Sequence, residues 1–331
     1  MNIITGKNGS GKTTLLEIIS LLSTGRSFRT PYLTHLIAEG SSYFSVEAQF
    51  ERYGVDQALS FRFDGKNRFI LHNETPLTNA SRLLGLFPSV FYCPKDHELI
   101  AGSPAHRRRF LNIQLAQIDP LYVHHLMRYH QALKQRNVLL KTKQTESLES
   151  WETIMSLSAS YLMKKRLHII ESLQPDMQAY AQKIANQIDP CTLRYSPSIV
   201  FKSPLDNLCP LIASTYQAQR LLEQKMRTTL FGPHRDDLSI IYHQKDAKMY
   251  ASEGEKRTCI AGLKMAECAC LSRNIGQQPL MHIDDFGTHL DEERQKRLYR
   301  ELLDLDQVFI TLPEKPNHMP YAHLIDVETY Q

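Results

Sequence analysis

Long apolar runs are missing from this 331-residue chain, and with them the membrane-spanning helix: no stretch approaches the ~18–20 apolar residues a span requires. The start, MNIITGKNGSGKTT, has no basic stretch leading into an apolar segment, so it does not read as a secretory signal. Paired cysteines are lacking too. Cys93, Cys191, Cys209, Cys259, Cys268 and Cys270 are scattered with no C-x-x-C pair, which excludes the spacing of disulfide scaffolds and zinc sites. Reduced thiols in a cytoplasmic protein are expected, with Cys268 and Cys270 as small apolar fillers on a helix. A large charge of either sign is absent as well. The net charge of +4 is by itself a weak argument for a nucleic-acid partner. What remains is ordinary for a folded protein of one large or two average domains, 42% hydrophobic and 22% charged.

Charge is uneven along the chain. Between Ile100 and Thr145 stand Arg107, Arg108, Arg109, Arg128, Lys134, Arg136, Lys141 and Lys143 against one acid, Asp119. Such a stretch fits a surface for the phosphate backbone of nucleic acid, and read alone it fits a solvated helix face equally well.

The order of elements is α/β. An apolar stub, Met1 to Thr5, runs into a glycine loop and a helix over Thr13 to Leu22. Alternation from Tyr43 to Leu71, with turn chemistry at Asp64-Gly65 and His72-Asn73, predicts antiparallel strands. From about Pro104 to Lys183 helical spacing dominates, with helices expected over Trp151 to Ile170 and Asp176 to Ile188. Pro190, Pro197, Pro204 and Pro210 then break the pattern, so the middle reads as an all-helical insertion. After Phe231 the grammar is mixed again: a hairpin-like stretch to Tyr250, a helix over Glu253 to Arg273, a strand over Pro279 to Asp284, a helix over Asp291 to Leu303 and a strand over Gln307 to Leu312.

Gly6-Lys7-Asn8-Gly9-Ser10-Gly11-Lys12-Thr13 satisfies G-x-x-x-x-G-K-[ST] between a strand stub and a helix. Glycines let successive N–H groups turn inward around a phosphate, and the helix N-terminus adds partial positive charge. Lys12 would reach the β- and γ-phosphates of ATP, Thr13 would ligate Mg²⁺, and Thr14 follows within the same turn. A chance Gly/Ser turn before a helix does not explain the strand–loop–helix context. The acid such a loop needs is offered by Leu280-Met281-His282-Ile283-Asp284-Asp285, with Asp284 facing the metal and Asp285 placed to orient or deprotonate water. A strand ending in a polar turn is the plainer reading of that run. His282 is expected to be buried and paired with a neighbour.

Ser252-Glu253-Gly254-Glu255 opens a helix and could be only a capping box, Ser252 with Glu255. It could also offer a hydroxyl and a helix N-terminus to an anion. In the order phosphate loop, long insertion, Ser-x-Gly-x helix, acid pair and then Leu290-Asp291, the chain resembles the ABC-type ATPase heads of the RecF and SMC families. Four further blocks are similar to RecF in particular: LSTGRSFRT over Leu22 to Thr30, Pro94 to Leu99 followed by Gly102 to Pro104 and Arg107 to Leu111, Gly232 to Asp237, and Gln307 to Thr311.

The resemblance covers nearly the whole chain from Ile3. It implies a P-loop ABC-type head with a mixed sheet, built from residues 1–110 and 228–331, and a helical arm over 111–227. It also implies an ATP-dependent homodimer in which Lys12 and Thr13 of one subunit face Ser252 and Gly254 of the other. Asp291 would touch the partner's nucleotide and Thr311 would take the switch position. Gly232 to Asp237 would support the site. The implied work is ATP- and Mg²⁺-dependent binding of double-stranded or gapped DNA in recombinational repair and the SOS response to damage, beside RecO and RecR. The turnover implied is weak and DNA-stimulated, and a nucleotide-binding scaffold with negligible turnover is the alternative. DNA contacts would come from Arg107, Arg108, Arg109, Arg128, Lys134 and Arg136. Three departures stand out. The family carries strands ahead of the loop, so either the start is truncated or this version dispenses with part of a sheet, and an unpaired sheet edge is expected. Glu253 and Glu255 would repel a triphosphate unless turned away. Asp285 replaces the longer Glu, consistent with slow hydrolysis.

Overall fold

The computed structural model describes residues 1–144, 146–187, 191–201, 205–288, 290–314 and 322–330. The chain divides into two compact units, Met1–His97 with Ala179–Ile188 and Ser252–Gln331, and Glu98–Gln178 with Asp189–Ala251. Residues 98–110 and 228–251 thus group with the second unit, where the sequence reading had them in the head.

The first unit is organised by a five-stranded sheet, in the order His323–Asp326, Asn2–Thr5, Val308–Thr311, Leu280–Ile283, Ser89–Tyr92, parallel throughout. Its inner strands are short, mostly apolar and largely buried runs, as a parallel sheet covered on both faces requires. Asn2–Thr5 has neighbours on both sides, Val308–Thr311 and His323–Asp326, the latter a strand beyond the last one expected from sequence. An unpaired edge does occur among the described residues, at Phe44–Arg52, which pairs with Val55–Phe63 alone. The antiparallel strands form a sheet of their own, Phe44–Arg52, Val55–Phe63, Arg68–His72 and Thr75–Pro76. One face of it buries Leu59, Phe61, Phe63 and Ile70 with Leu21 and Leu22 of the phosphate-loop helix. That packing fixes the direction in which the helix Lys12–Thr24 leaves the loop.

The second unit carries the helices Pro104–Ile118, Pro120–Thr142 and Leu208–Met226 and most of Leu148–Ala185. Two expectations are corrected here. The stretch 111–227 is not purely helical: Cys191–Ser196 is a strand, paired antiparallel with Asp237–Tyr242. Its partner lies some forty residues on, beyond the reach of local pattern. The two helices expected either side of Pro175 are one, Leu148–Ala185, with the proline inside. Its buried stripe runs through Leu162, Ile169, Leu173, Met177 and Ala181 without a break. Continued burial offsets the ~3 kcal/mol that an interior proline costs. The expected end at Ile188, with Pro190 and Pro204, lies outside the described residues. Pro210 sits in the first turn of Leu208–Met226, where a missing N–H leaves no bond unmade.

Candidate nucleotide site

The phosphate loop has the geometry its spacing demands. Gly6 is held at φ 149°, and a methyl group built on it would lie 2.6 Å from Ser10 Oγ, so only glycine fits. Ser10 N donates to Lys7 O at 3.1 Å and closes the turn. Gly11, at φ 95°, stands at the N-cap of Lys12–Thr24 with no side-chain cap and no acid in the first turn. The orphan N–H groups of that helix are therefore left to an incoming anion. Lys12 Nζ reaches back across the loop to the carbonyls of Gly6 at 2.5 Å and Lys7 at 2.9 Å. Lys7, Asn8, Gly9 and Thr14 are exposed around it.

Asp284 arrives from the end of Leu280–Ile283, its N–H extending the ladder to Tyr92 O at 2.9 Å. One carboxylate oxygen, Oδ1, accepts from Thr13 Oγ1 at 2.9 Å and Thr311 Oγ1 at 2.8 Å. Thr311 in turn accepts from Asp285 N at 2.8 Å, so a single hydroxyl orients both acids. Asp285 adopts φ 52°, unusual outside glycine but tolerated by Asp. Burial, then the adjacent Asp284 charge, push its carboxyl above the ordinary value, against the pull of Lys12. The donor set fits Mg²⁺. No three His, Cys, Asp or Glu among the described residues cluster into a cage. A cation here would rest on Thr13 and Asp284 and take its other ligands from phosphate and water.

Beside this pair opens a cavity of about 640 Å³ lined by Thr13, Glu17, Arg29, Thr30, Lys95 and Asp284. It gathers two of the sequence blocks, Leu22–Thr30 and Pro94–Leu99, at Thr13 and Asp284. Glu17, one turn past Thr13, is buried, accepts from Ser27 Oγ and lies 3.6 Å from Arg29 Nη1. Glu328 was also missed from sequence; its Oε1 accepts from Lys7 N at 3.0 Å and braces the loop from the chain's end.

At Ser252 the capping box is real: Ser252 Oγ accepts from Glu255 N at 3.4 Å, and Ser252 N donates to Glu255 Oε2 at 2.6 Å. Repulsion from the two acids is thereby relieved. Glu255 is folded back on the cap, and Glu253 pairs with Lys256 at 2.8 Å, which holds its carboxyl low. Ser252 is exposed, and its hydrogen bonds stay within its own turn. As acceptor from Glu255 it keeps its own O–H hydrogen to donate. Asp291 caps the helix Glu292–Leu303 through Arg294 N at 2.8 Å. Arg294, unremarked in the sequence, lies against Gly254.

Several expected residues fall elsewhere. Arg136 is fully buried between Glu152 at 2.9 Å and Glu223 at 2.6 Å, and Arg107 is paired through two nitrogens with Asp237 at 2.7 and 2.9 Å. Neither can meet a DNA phosphate; their charge is neutralised inside the second unit. Arg108 donates to Asp236 O at 2.8 Å and is half-buried, while Arg109, Arg128 and Lys134 are exposed. Gly232 to Asp237 is a structural hub of that same unit. A methyl on Gly232 would lie 2.3 Å from Tyr129 Oη, and Asp236 holds Arg166 at 3.2 Å and Ser198 N at 2.8 Å. His282 is buried as expected, but neither ring nitrogen has a hydrogen-bond partner among the described residues; burial, then Lys264, push its pKa down to about 3.

A family model described as an AAA domain matches residues 1–187. A DNA replication and repair protein RecF from Protochlamydia amoebophila is 45% identical over 94% of this chain and 87% of its own length. The RecF of Chlamydia caviae is 36% identical over 96% and 86%. Among solved structures, the recombination mediator protein RecF-ATP of the RecFOR pathway superposes with a TM-score of 0.89 at 29% identity, covering 98% of this chain and 89% of that one. An Smc head bound to the winged-helix domain of ScpA, 13% identical with a TM-score of 0.50, shares the fold alone.

Proposed function

The chain belongs to the RecF family of DNA replication and repair proteins, and we propose that it is an ATP-dependent DNA-binding protein of recombinational repair that closes head to head on double-stranded or gapped DNA. One solved relative is an ATP complex from the RecFOR pathway, which supports RecO and RecR as partners. The observation that carries the reading is that, among the described residues, Ser252 makes no hydrogen bond to the phosphate loop or its acid pair. Lys12, Thr13 and Asp284 form one half-site, bonded among themselves through Thr13 and Asp284. Ser252 forms the other, exposed, with its hydroxyl donating to no acceptor among the described residues. A second copy would bring the two together over one triphosphate.

Each residue then has a task. The loop amides and Lys12 hold the β- and γ-phosphates. Thr13 and Asp284 would hold Mg²⁺, which would supply charge neutralisation at the phosphates. Asp285, its carboxyl raised toward basicity by burial and Asp284, orients and accepts a proton from the attacking water. Thr311 keeps both acids in register. Asp285 is one methylene shorter than Glu, which favours slow hydrolysis as the release step. The same shortness supports a second reading, a scaffold that binds nucleotide with negligible turnover. Phosphate release that DNA does not stimulate would select that second reading.

The test is the mass of the protein in solution with ATP, with ADP and with neither. The wild type should double in mass with ATP alone, and Lys12→Met should stay monomeric and fail to be retained on DNA. A wild type whose mass ignores ATP overturns the reading.

A further inference from the structure

We infer that Arg294 is a phosphate-contacting residue of the Ser252 half-site, its guanidinium joining Ser252 and Gly254 against the terminal phosphate of a nucleotide held by a second copy of this chain. The inference rests on the two-chain reading above. Gly254 raises the question. It lies in the first turn of a regular helix, Glu253–Ile275, and not in the left-handed region, so nothing in its backbone calls for glycine. Glycine inside a helix is destabilising relative to alanine. What the absent side chain makes room for is Arg294: a methyl on Gly254 would lie 2.9 Å from its Nη1. The guanidinium is thus laid on the backbone of the very turn whose hydroxyl and N–H groups face outward.

The donors of this guanidinium are largely unfilled. Among the described residues its side chain has one partner, Asp291 Oδ2, at 3.3 Å, and that carboxylate is itself 56% exposed. A guanidinium carries five N–H donors in a fork suited to phosphate oxygens. The neighbouring cations are committed otherwise. Lys256 is held by Glu253 at 2.8 Å, and Arg257 is buried and donates to Pro94 O at 3.1 Å. This assigns Asp291 a different task from direct contact. Its negative charge would repel a triphosphate, but its Oδ1 caps Arg294 N and its Oδ2 steers the guanidinium toward Gly254. Asp291 is a positioning residue, and Arg294 makes the contact.

Three variants and one mixing experiment test this. Arg294→Ala should bind a fluorescent ATP analogue as the wild type does at protein concentrations low enough to keep both monomeric, since the phosphate loop is intact, yet lose ATP-driven dimerisation and phosphate release by about 100-fold. Arg294→Lys should recover part of both. Gly254→Ala removes no charge and favours the helix, so it should fold at least as well while lowering release by displacing the guanidinium. The decisive measurement mixes Lys12→Met with Arg294→Ala chains. Acting across the dimer, the two defects fall in the same composite site and leave the other whole, so activity that neither chain has alone should return. No return on mixing places Arg294 in its own chain's site or in the scaffold and overturns the inference. Dimerisation and turnover of Arg294→Ala equal to the wild type overturn it as well, with the two-chain reading left standing. A wild type that stays monomeric with ATP removes both.

Discussion

Lys12 in the first unit and Arg136 in the second are both long cations almost removed from solvent, and they are held in opposite ways. Lys12, 7% exposed, is bound by two neutral carbonyls of its own loop and makes no ion pair among the described residues. Arg136 is met by Glu152 at 2.9 Å, Glu223 at 2.6 Å and the Thr229 hydroxyl at 2.9 Å, and it lies over the Tyr216 ring. The first charge has no ion-pair partner among the described residues and can be turned on an anion. The second belongs to a closed set in which Arg136 and Arg220 balance Glu152 and Glu223. What a cation can do for a ligand is therefore decided by what already holds it, and counting Lys and Arg along a stretch does not reveal that.

The largest effect should come from breaking the closed set. Arg136→Met leaves Glu152 and Glu223 buried without their shared partner, which should cost about 3–5 kcal/mol of unfolding free energy in a urea titration. Lys12→Met, which strands no carboxylate, should cost less than about 1 kcal/mol in the same titration while removing the response to ATP. Near-native stability of Arg136→Met combined with weak DNA binding would reverse the assignment and return Arg136 to the DNA surface.

A second effect follows from the hub at Gly232 to Asp237, which must keep His234 neutral. Tyr129 Oη and His234 Nδ1 lie 2.6 Å apart, and His234 Nε2 lies 3.2 Å from Thr229 O. Nε2–H donates to that carbonyl, and Nδ1 accepts from the tyrosine. Burial pushes the His234 pKa down to about 4. An unfolded histidine titrates near ~6.5, so between these values the unfolded chain binds more protons than the folded one. The contribution is complete above the unfolded value and is lost as pH falls toward 4. Stability should drop by up to about 2 kcal/mol between pH 7 and pH 5 from this residue. His234→Asn, whose carbonyl can still accept from Tyr129, should lose less over the same interval. An equal loss in variant and wild type would show that another group carries the dependence, with His282, pushed down to about 3, first in line.

These contrasts also mark what could be read from residues alone. The phosphate loop was legible because its spacing builds the geometry locally: Gly6, Gly11 and Lys12 act within a few bonds of one another. Ser252 and Glu255 were legible for the same reason, and Asp284 stood out at the end of a buried apolar strand. Where the partner is distant in sequence, legibility failed. Arg136 and Arg128 look alike on one helix until Glu223 is known to fold against the first. Cys191–Ser196 becomes a strand through Asp237–Tyr242, and Pro175 stays helical because the buried stripe continues past it. Arg294 reads as an ordinary i,i+3 pair with Asp291 until Gly254 is seen beneath it. Glu328 reaches Lys7 across more than three hundred residues.

The smallest effect concerns the cations that remain outward. Arg128, Lys134 and Lys141 are exposed on the helix Pro120–Thr142. Lys134 and Lys141 are seven residues apart, two turns, and so share one line along the helix roughly 10 Å apart, whereas Arg128 points about 120° away from Lys134. A duplex lying along the Lys134 line cannot engage all three. Lys134→Ala should weaken DNA binding by roughly 1 kcal/mol whatever the base sequence and lower the slope of log affinity against log salt by about 1, with unfolding free energy unchanged. Arg128→Ala should do less on both counts. If Arg128→Ala lowers the slope as much as Lys134→Ala does, the nucleic acid must wrap the helix rather than lie along it. If neither moves the slope, these residues are the solvated helix face that the basic stretch fits equally well, and the DNA surface must be sought away from the helix Pro120–Thr142.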